Sequence, residues 1–184
     1  WPVAVDFPFE AAIPFVPAMS FVYLSLDVLL LLAPLVLRRW DQLAPLFAAL
    51  VAETVVAALV FVALPVAPHF PPISPPDGMV GVAFAVADRL NLDRNLLPSL
   101  HVAYAVTAAL AIAERSARWI RPLLHSWALV IAASTLLLRQ HHLLDVVTGG
   151  LLGWVAWRRV GGWARRPAIL AAFDVELLCL ENQL

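Results

Sequence analysis

The sequence predicts an all-α, polytopic membrane protein, a bundle of transmembrane helices, and three observations predict it. Hydrophobic residues make up 62% of the 184 and charged ones only 14%, with a mean hydropathy of +0.87, against roughly 45–50% apolar residues in a soluble domain. Lys is absent and the formal net charge is -1, so there is no basic face for nucleic acid and no acidic tail. Apolar runs bounded by charge or Pro recur five times, each near the roughly 20 residues that cross a bilayer. The bilayer is therefore the expected partner. A single Cys, Cys179, excludes an intramolecular disulfide framework and a Cys-based zinc site.

The first run, Ile13 to Leu37, ends at Arg38-Arg39. The second, Gln42 to Leu64, ends in a Pro-rich stretch from Pro65 to Pro76. Met79 to Ala87 is too short to span and leads into the polar segment Asp88 to Asn95, which reads as a surface or re-entrant helix. The third span starts at Pro98-Ser99, where Ser is a good N-cap, and runs to Ala113. The fourth covers Pro122 to Leu138 and the fifth Leu143 to Trp157. Residues 13–157 thus form the core of one membrane-embedded domain spanning 1–184. Segment 167–184 is apolar but carries Asp174 and Glu176, as expected of a C-terminal helix or tail at the interface.

Positively charged residues gather on the cytoplasmic side of membrane proteins. Nine of the twelve Arg (Arg38, Arg39, Arg115, Arg118, Arg121, Arg158, Arg159, Arg165 and Arg166) follow spans one, three and five, which places those connections inside. Arg89, Arg94 and Arg139 follow spans two and four, which face outward together with the N-terminal segment carrying Asp6 and Glu10. Five spans with an outward start predict one further helix before Trp1, six in the intact protein. The Lys-free, Arg-, Ala- and Pro-rich composition fits a GC-rich bacterial genome, and hence the plasma membrane, with the outward face toward the periplasm or exterior.

The outward side collects the chemistry. Pro98-Ser99-Leu100-His101 opens the third span, and Arg139-Gln140-His141-His142-Leu143-Leu144-Asp145 opens the fifth. If that helix begins a turn early, His141 and Asp145 are i and i+4 and share a face. The carboxylate then holds one ring N–H of the imidazole and leaves the other nitrogen free as a nucleophile. His101 is the second catalytic candidate, at a helix N-terminus whose free N–H groups and dipole suit an anion. Three outward Arg can bond phosphoryl oxygens.

Pro98-Ser99-x-His101, followed by His141-x3-Asp145 and Gly149-Gly150, resembles the type 2 phosphatidic acid phosphatase (lipid phosphate phosphatase) superfamily. The P-S-L-H and H-x3-D variants are similar to the branch that includes the inositol phosphorylceramide synthases. Of the family pattern K-x6-R-P, P-S-G-H and S-R-x5-H-x3-D, the first element has no match here, and Thr135 stands at the Arg position after Ser134. The resemblance implies a phosphatase or phosphotransferase acting on a phosphorylated lipid at the outward face, without cofactor or metal. His141 attacks phosphorus to give a phosphohistidine, Asp145 holds its ring, and His101 protonates the leaving oxygen and later serves as base. Ser99, Arg139, Arg94 and His142 are the candidate phosphate contacts, His142 with a plain interfacial role standing beside that one. An alcohol in place of water makes the same site a head-group transferase.

Two competing readings use other residues. A metal hydrolase would ligate through His101, His141, His142 and Asp145. A transporter or structural protein would rest on Asp27 and Glu53, ionisable residues midway along the first two spans; inter-helix packing is the first expectation for both, and they could also pair with each other, one protonated, or with an outward Arg. The glycines after Asp145 read as close-packing positions. His69 and His125 read as structural. Trp40, Trp119, Trp157 and Trp163 read as an aromatic belt.

Overall fold

A computed structural model describes residues 6–66, 70, 73–90 and 96–171. Among them the regular structure is helical and no β-strand occurs. The expected first span is helical only from Ser20: α1 covers Ser20–Val36. Pro14 and Pro17 lack the N–H that an α-helix needs and fix φ, so the chain enters through 3-10 turns at Pro8–Ala12 and Pro17–Met19. Val16 N–H bonds Leu137 O at 2.9 Å, docking this entry on the end of another helix.

Helix α2 spans Trp40–Ala63 and α3 Gly78–Leu90. The latter joins the short apolar run to the first residues of the polar segment. Arg94 lies outside the described residues, as do His69, Cys179 and all of 172–184, the greater part of the expected C-terminal interfacial segment. The remaining helices, α4 (Leu100–Arg115), α5 (Arg121–Leu137) and α6 (Leu143–Ala156), begin and end within two residues of expectation. Beyond α6 a π-helical turn, Trp157–Gly161, leads into a short helix, Gly162–Ala164, and residues 167–171 are helical again.

The Ala-rich α4 is the axis of the bundle. Ala103, Ala105, Ala108, Ala109 and Ala111 are buried, and side chains this small let α1, α2, α5 and α6 all approach it. Local contacts give the directions. Tyr23, near the start of α1, takes a hydrogen bond from His101, near the start of α4. Gly149 and Gly153 of α6 lie against Ser99 and Ala103 of α4. Helices α1, α4 and α6 thus run parallel. Ser25 of α1 meets Trp127 of α5 while Val16 meets Leu137, so α5 runs the other way. Helix α2 does too, because Glu53 and Thr54 meet Thr107 and Tyr104 of α4 while Pro45 lies beside Gly161. The nine Arg assigned to the inside all follow the C-terminal ends of the three parallel helices.

The outer faces are apolar. Leu31, Leu35, Val51, Leu59 and Val62 are exposed, Val62 to 86%. Two helical stretches, Pro17–Val36 and Trp40–Ala63, are long and apolar enough to cross a membrane, with only 28% and 22% of their most apolar windows buried. A core helix of a soluble protein would be mostly buried. Exposed apolar faces of this extent belong against lipid, and the chain is a membrane protein.

One alternative and one expectation are corrected here. Asp27 and Glu53 do not pair with each other; Glu53 serves inter-helix packing, as first expected: fully buried, it sits 2.5 Å from Thr107 Oγ1, which is also 3.0 Å from Gly153 O. This polar link ties α2, α4 and α6 together. Trp157 is not part of a belt. It is 4% exposed, donates Nε1–H to Glu114 and lies under the Arg165 guanidinium.

Candidate active site

The site is built by how α5 ends and α6 begins. Helix α5 closes with Arg139 N–H on Leu136 O (3.0 Å) and Gln140 N–H on Thr135 O (3.0 Å), the paired bonds of a Schellman stop. That stop needs a left-handed residue, and Arg139 supplies it at φ 56 although Gly is the usual occupant. His141 N–H also reaches Thr135 O, at 3.3 Å. Thr135, which stands at the family's Arg position, thus contributes the carbonyl that closes the turn. Helix α6 then starts at Leu143 with His142 as N-cap, and Asp145 Oδ2 accepts the His142 N–H at 2.8 Å.

His141 therefore precedes the helix and does not ride on its first turn, yet it still meets Asp145. Its Nδ1 is 3.6 Å from Asp145 Oδ2, with both side chains almost fully buried. That is longer than a hydrogen bond. Neither His141 Nδ1 nor Asp145 Oδ1 has a hydrogen-bond partner among the described residues, and catalytic hydrogen bonds often shorten only when substrate is bound.

Ser99 is where the sequence puts it: the N-cap of α4, its Oγ accepting from Val102 N–H at 3.4 Å. Its own N–H bonds Asp145 O at 3.0 Å, joining the two helix starts that carry the histidines. His101, in the first turn of α4, lies flat on Tyr23 with ring centroids 3.7 Å apart. Its Nε2 is 2.8 Å from Tyr23 O, and because a carbonyl only accepts, Nε2 carries the proton. Nδ1 is then the nitrogen able to exchange one.

His101 and His141 line one cavity of about 280 Å³, walled also by Tyr23, Asp27, Phe61 and Tyr104. Arg139 and His142 line a neighbouring cavity of about 330 Å³ with Asp6, Glu10 and Phe70. There His142 stacks on Phe70 (4.4 Å) and its Nδ1 is 2.5 Å from Glu10 Oε2. Of the four side chains of the metal-hydrolase reading, His101 and His141 thus line one cavity and His142 the other, while Asp145 lies behind His141 and lines neither. Arg139 Nη2 donates to Ile13 O at 3.3 Å, while its Nε has no hydrogen-bond partner among the described residues.

Two contributors were not singled out for the site. Glu10, expected only as an outward-facing charge, is buried and accepts from Leu143 N–H at 3.0 Å as well as facing His142. A carboxylate at a helix N-terminus is stabilised by the free N–H groups and the dipole. Its partners lie more than 130 positions away, beyond the reach of any local pattern. Tyr23 reads in sequence as one more apolar-span residue. Its contact with His101 crosses 78 positions.

A family model described as the PAP2 superfamily matches residues 1–158. Among solved structures, the crystal structure of Aquifex aeolicus LpxE shares the fold, with a TM-score of 0.53 at 20% sequence identity, covering 84% of this chain and 86% of that one. No curated protein matches the chain. With a family model matched over residues 1–158, which hold α1 to α6, the chain belongs to the PAP2 superfamily and is an enzyme of its kind, a phosphatase.

Proposed function

We propose that the enzyme works through a phosphohistidine on His141, at the end of the bundle opposite the Arg-rich connections. The observation that carries this reading is that His101 and His141, 40 positions apart, line a single cavity with Asp145 behind the His141 ring. With Asp145 accepting a hydrogen bond from the Nδ1–H, the Nε2 lone pair attacks phosphorus. Positive charge on the ring during attack is balanced by the buried carboxylate. His101 Nδ1 gives its proton to the leaving alcohol oxygen. In the second half-reaction water loses a proton to His101 as its oxygen bonds phosphorus and the P–N bond breaks. No metal takes part in these steps.

Catalysis of phosphoryl transfer is mostly positioning and charge stabilisation. The first-turn N–H groups of α4 after Ser99 supply part of that. Arg139 is assigned to the phosphoryl oxygens with His142 beside it, its guanidinium held by one long bond to a carbonyl; Arg94 is the second cation of the same assignment. Five membrane crossings, α1, α2, α4, α5 and α6, fit the alternating helix directions. The site then faces the periplasm or exterior of a bacterial plasma membrane, where it meets its phosphorylated lipid.

The test is free-phosphate release with lipid product analysis, on detergent-purified protein given a panel of lipid phosphates. Release that survives EDTA and vanishes in His141→Ala is the expected result. Loss to EDTA moves the reading to a metal site. A new phospholipid without free phosphate makes the enzyme a head-group transferase, the alternative that the P-S-L-H and H-x3-D motifs favour. No turnover across the panel overturns the enzymatic reading in favour of a transporter or structural protein.

A further inference from the structure

The cavity that holds the two histidines continues past them along α1. Its α1 wall is Tyr23, Leu26, Asp27 and Leu30, one helix face at i, i+3, i+4 and i+7, extending about 10 Å at 1.5 Å per residue. Among the described residues lining this cavity Asp27 is the one carboxylate and none is an Arg. Asp27 is exposed, and none of the ion pairs among the described residues involves it. Elsewhere on α1, Leu29 and Ala33 enter the core and Leu31 and Leu35 face outward, 73% and 62% exposed. An ionisable side chain midway along such a helix is costly unless it faces water or a polar ligand, and the face it occupies is the cavity face.

The charge of Asp27 decides what it meets. A carboxylate repels phosphoryl oxygens, so phosphorus sits at the His141 end, by the start of α4. Asp27 is one helical turn from Tyr23, on which His101 is stacked, and so stands on the side of the oxygen that His101 protonates. A carboxylate there accepts from a hydroxyl. In a two-step displacement the leaving and the attacking alcohol occupy that place in turn: the first P–O bond breaks as P–N forms and His101 gives up its proton, then O–P forms as P–N breaks and His101 takes one back.

Resting on the reading of His141 and His101 above, we propose that Asp27 is a specificity-determining residue that accepts a hydrogen bond from a second hydroxyl on the reacting alcohol. The enzyme thereby prefers lipid phosphates, or acceptors, whose alcohol carries a free hydroxyl close to the phosphoester oxygen. Sites built to bond a substrate hydroxyl reject the analogue lacking it far more strongly than apolar pockets reject an extra methylene.

The experiment compares lysophosphatidic acid, which has a free hydroxyl beside the phosphate-bearing carbon, with its deoxy analogue. A second arm compares glycerol with 1-propanol as acceptors, read as glycerol phosphate against propyl phosphate. Wild type is expected to prefer the hydroxyl-bearing partner by about tenfold or more in kcat/KM. Asp27→Asn and Asp27→Ala are expected to shrink that ratio to within about threefold. A shrinking confined to the hydrolysis arm assigns the hydroxyl to the leaving alcohol, and one confined to the acceptor arm to the incoming alcohol. Should Asp27→Ala not fold, as judged by size-exclusion elution in detergent, the isosteric Asp27→Asn carries the comparison. A ratio unchanged in active variants, or an equal loss on both members of each pair, overturns the proposal and leaves His141 catalysis standing. Absence of both phosphate release and transfer product with every lipid phosphate by wild type overturns the reading of His141 itself.

Discussion

Arg139 holds two duties that pull its residue type in different directions. Its backbone sits at φ 56 to close the stop of α5, a conformation costing a non-Gly residue about 1–2 kcal/mol, while its guanidinium is assigned to the substrate phosphate. Arg139→Gly separates the two. Strain relief exceeds the extra freedom that Gly adds to the unfolded chain, about 0.4–1 kcal/mol, so the midpoint of thermal unfolding in detergent is expected to hold or rise slightly. Phosphate release from lipid phosphates is expected to fall about tenfold or more through the lost charge. Equal activity in the two proteins would confine Arg139 to its backbone role. At this scale Ser99 was legible in the sequence because an N-cap is local, and His141 and Asp145 are close because they are four residues apart, although the shared helical face expected of them gave way to a helix start that lies between them. Glu10 and Tyr23 were not, because their partners are brought to them only by folding.

The candidate catalytic groups lie at the starts of α4 and α6, and the separation of these helices is set by missing side chains. A Cβ on Gly149 would lie 2.3 Å from Ser99 O and one on Gly153 2.4 Å from Ala103 O, whereas at Gly150 the nearest neighbour is Val102 Cγ1 at 3.9 Å. Backbone atoms cannot yield as a flexible side-chain tip can. Gly149→Ala and Gly153→Ala are each expected to destabilise the protein by about 1–3 kcal/mol, read as a lower unfolding midpoint, and to lower activity through the Ser99–Asp145 link. Gly150→Ala is expected to leave both unchanged. The sequence expectation that these glycines serve close packing is right for Gly149 and Gly153. The α4, α5 and α6 boundaries were legible from apolar length and capping residues. The start of α1 was missed because hydropathy counts Pro14 and Pro17 as apolar and does not register their missing N–H groups.

Across the whole molecule, helix direction and charge agree. Helices α1, α4 and α6 run parallel, their C-terminal ends lead into the nine Arg assigned to the inside, and both histidine-bearing segments lie at the other end. This supports an outward site under the positive-inside rule. In a Cys179→Ala background, Ala11→Cys is expected to react with a membrane-impermeant thiol reagent on intact cells, and Ala117→Cys only after permeabilisation. The reverse pattern would turn the site to the cytoplasm.

The sequence by itself determined the membrane class, the helical fold and most helix boundaries, and singled out His101, His141 and Asp145 as candidates, because hydropathy, caps and motifs act over a few residues. Only the tertiary structure decided which side chains share a cavity. Asp27 joined the two histidines, Arg139 and His142 went to the neighbouring cavity with Glu10, and Glu53 was taken up by Thr107. The physical reason is that an ionisable group in an apolar bundle goes where a partner or an open cavity receives it, and both are made by helices far apart in the chain.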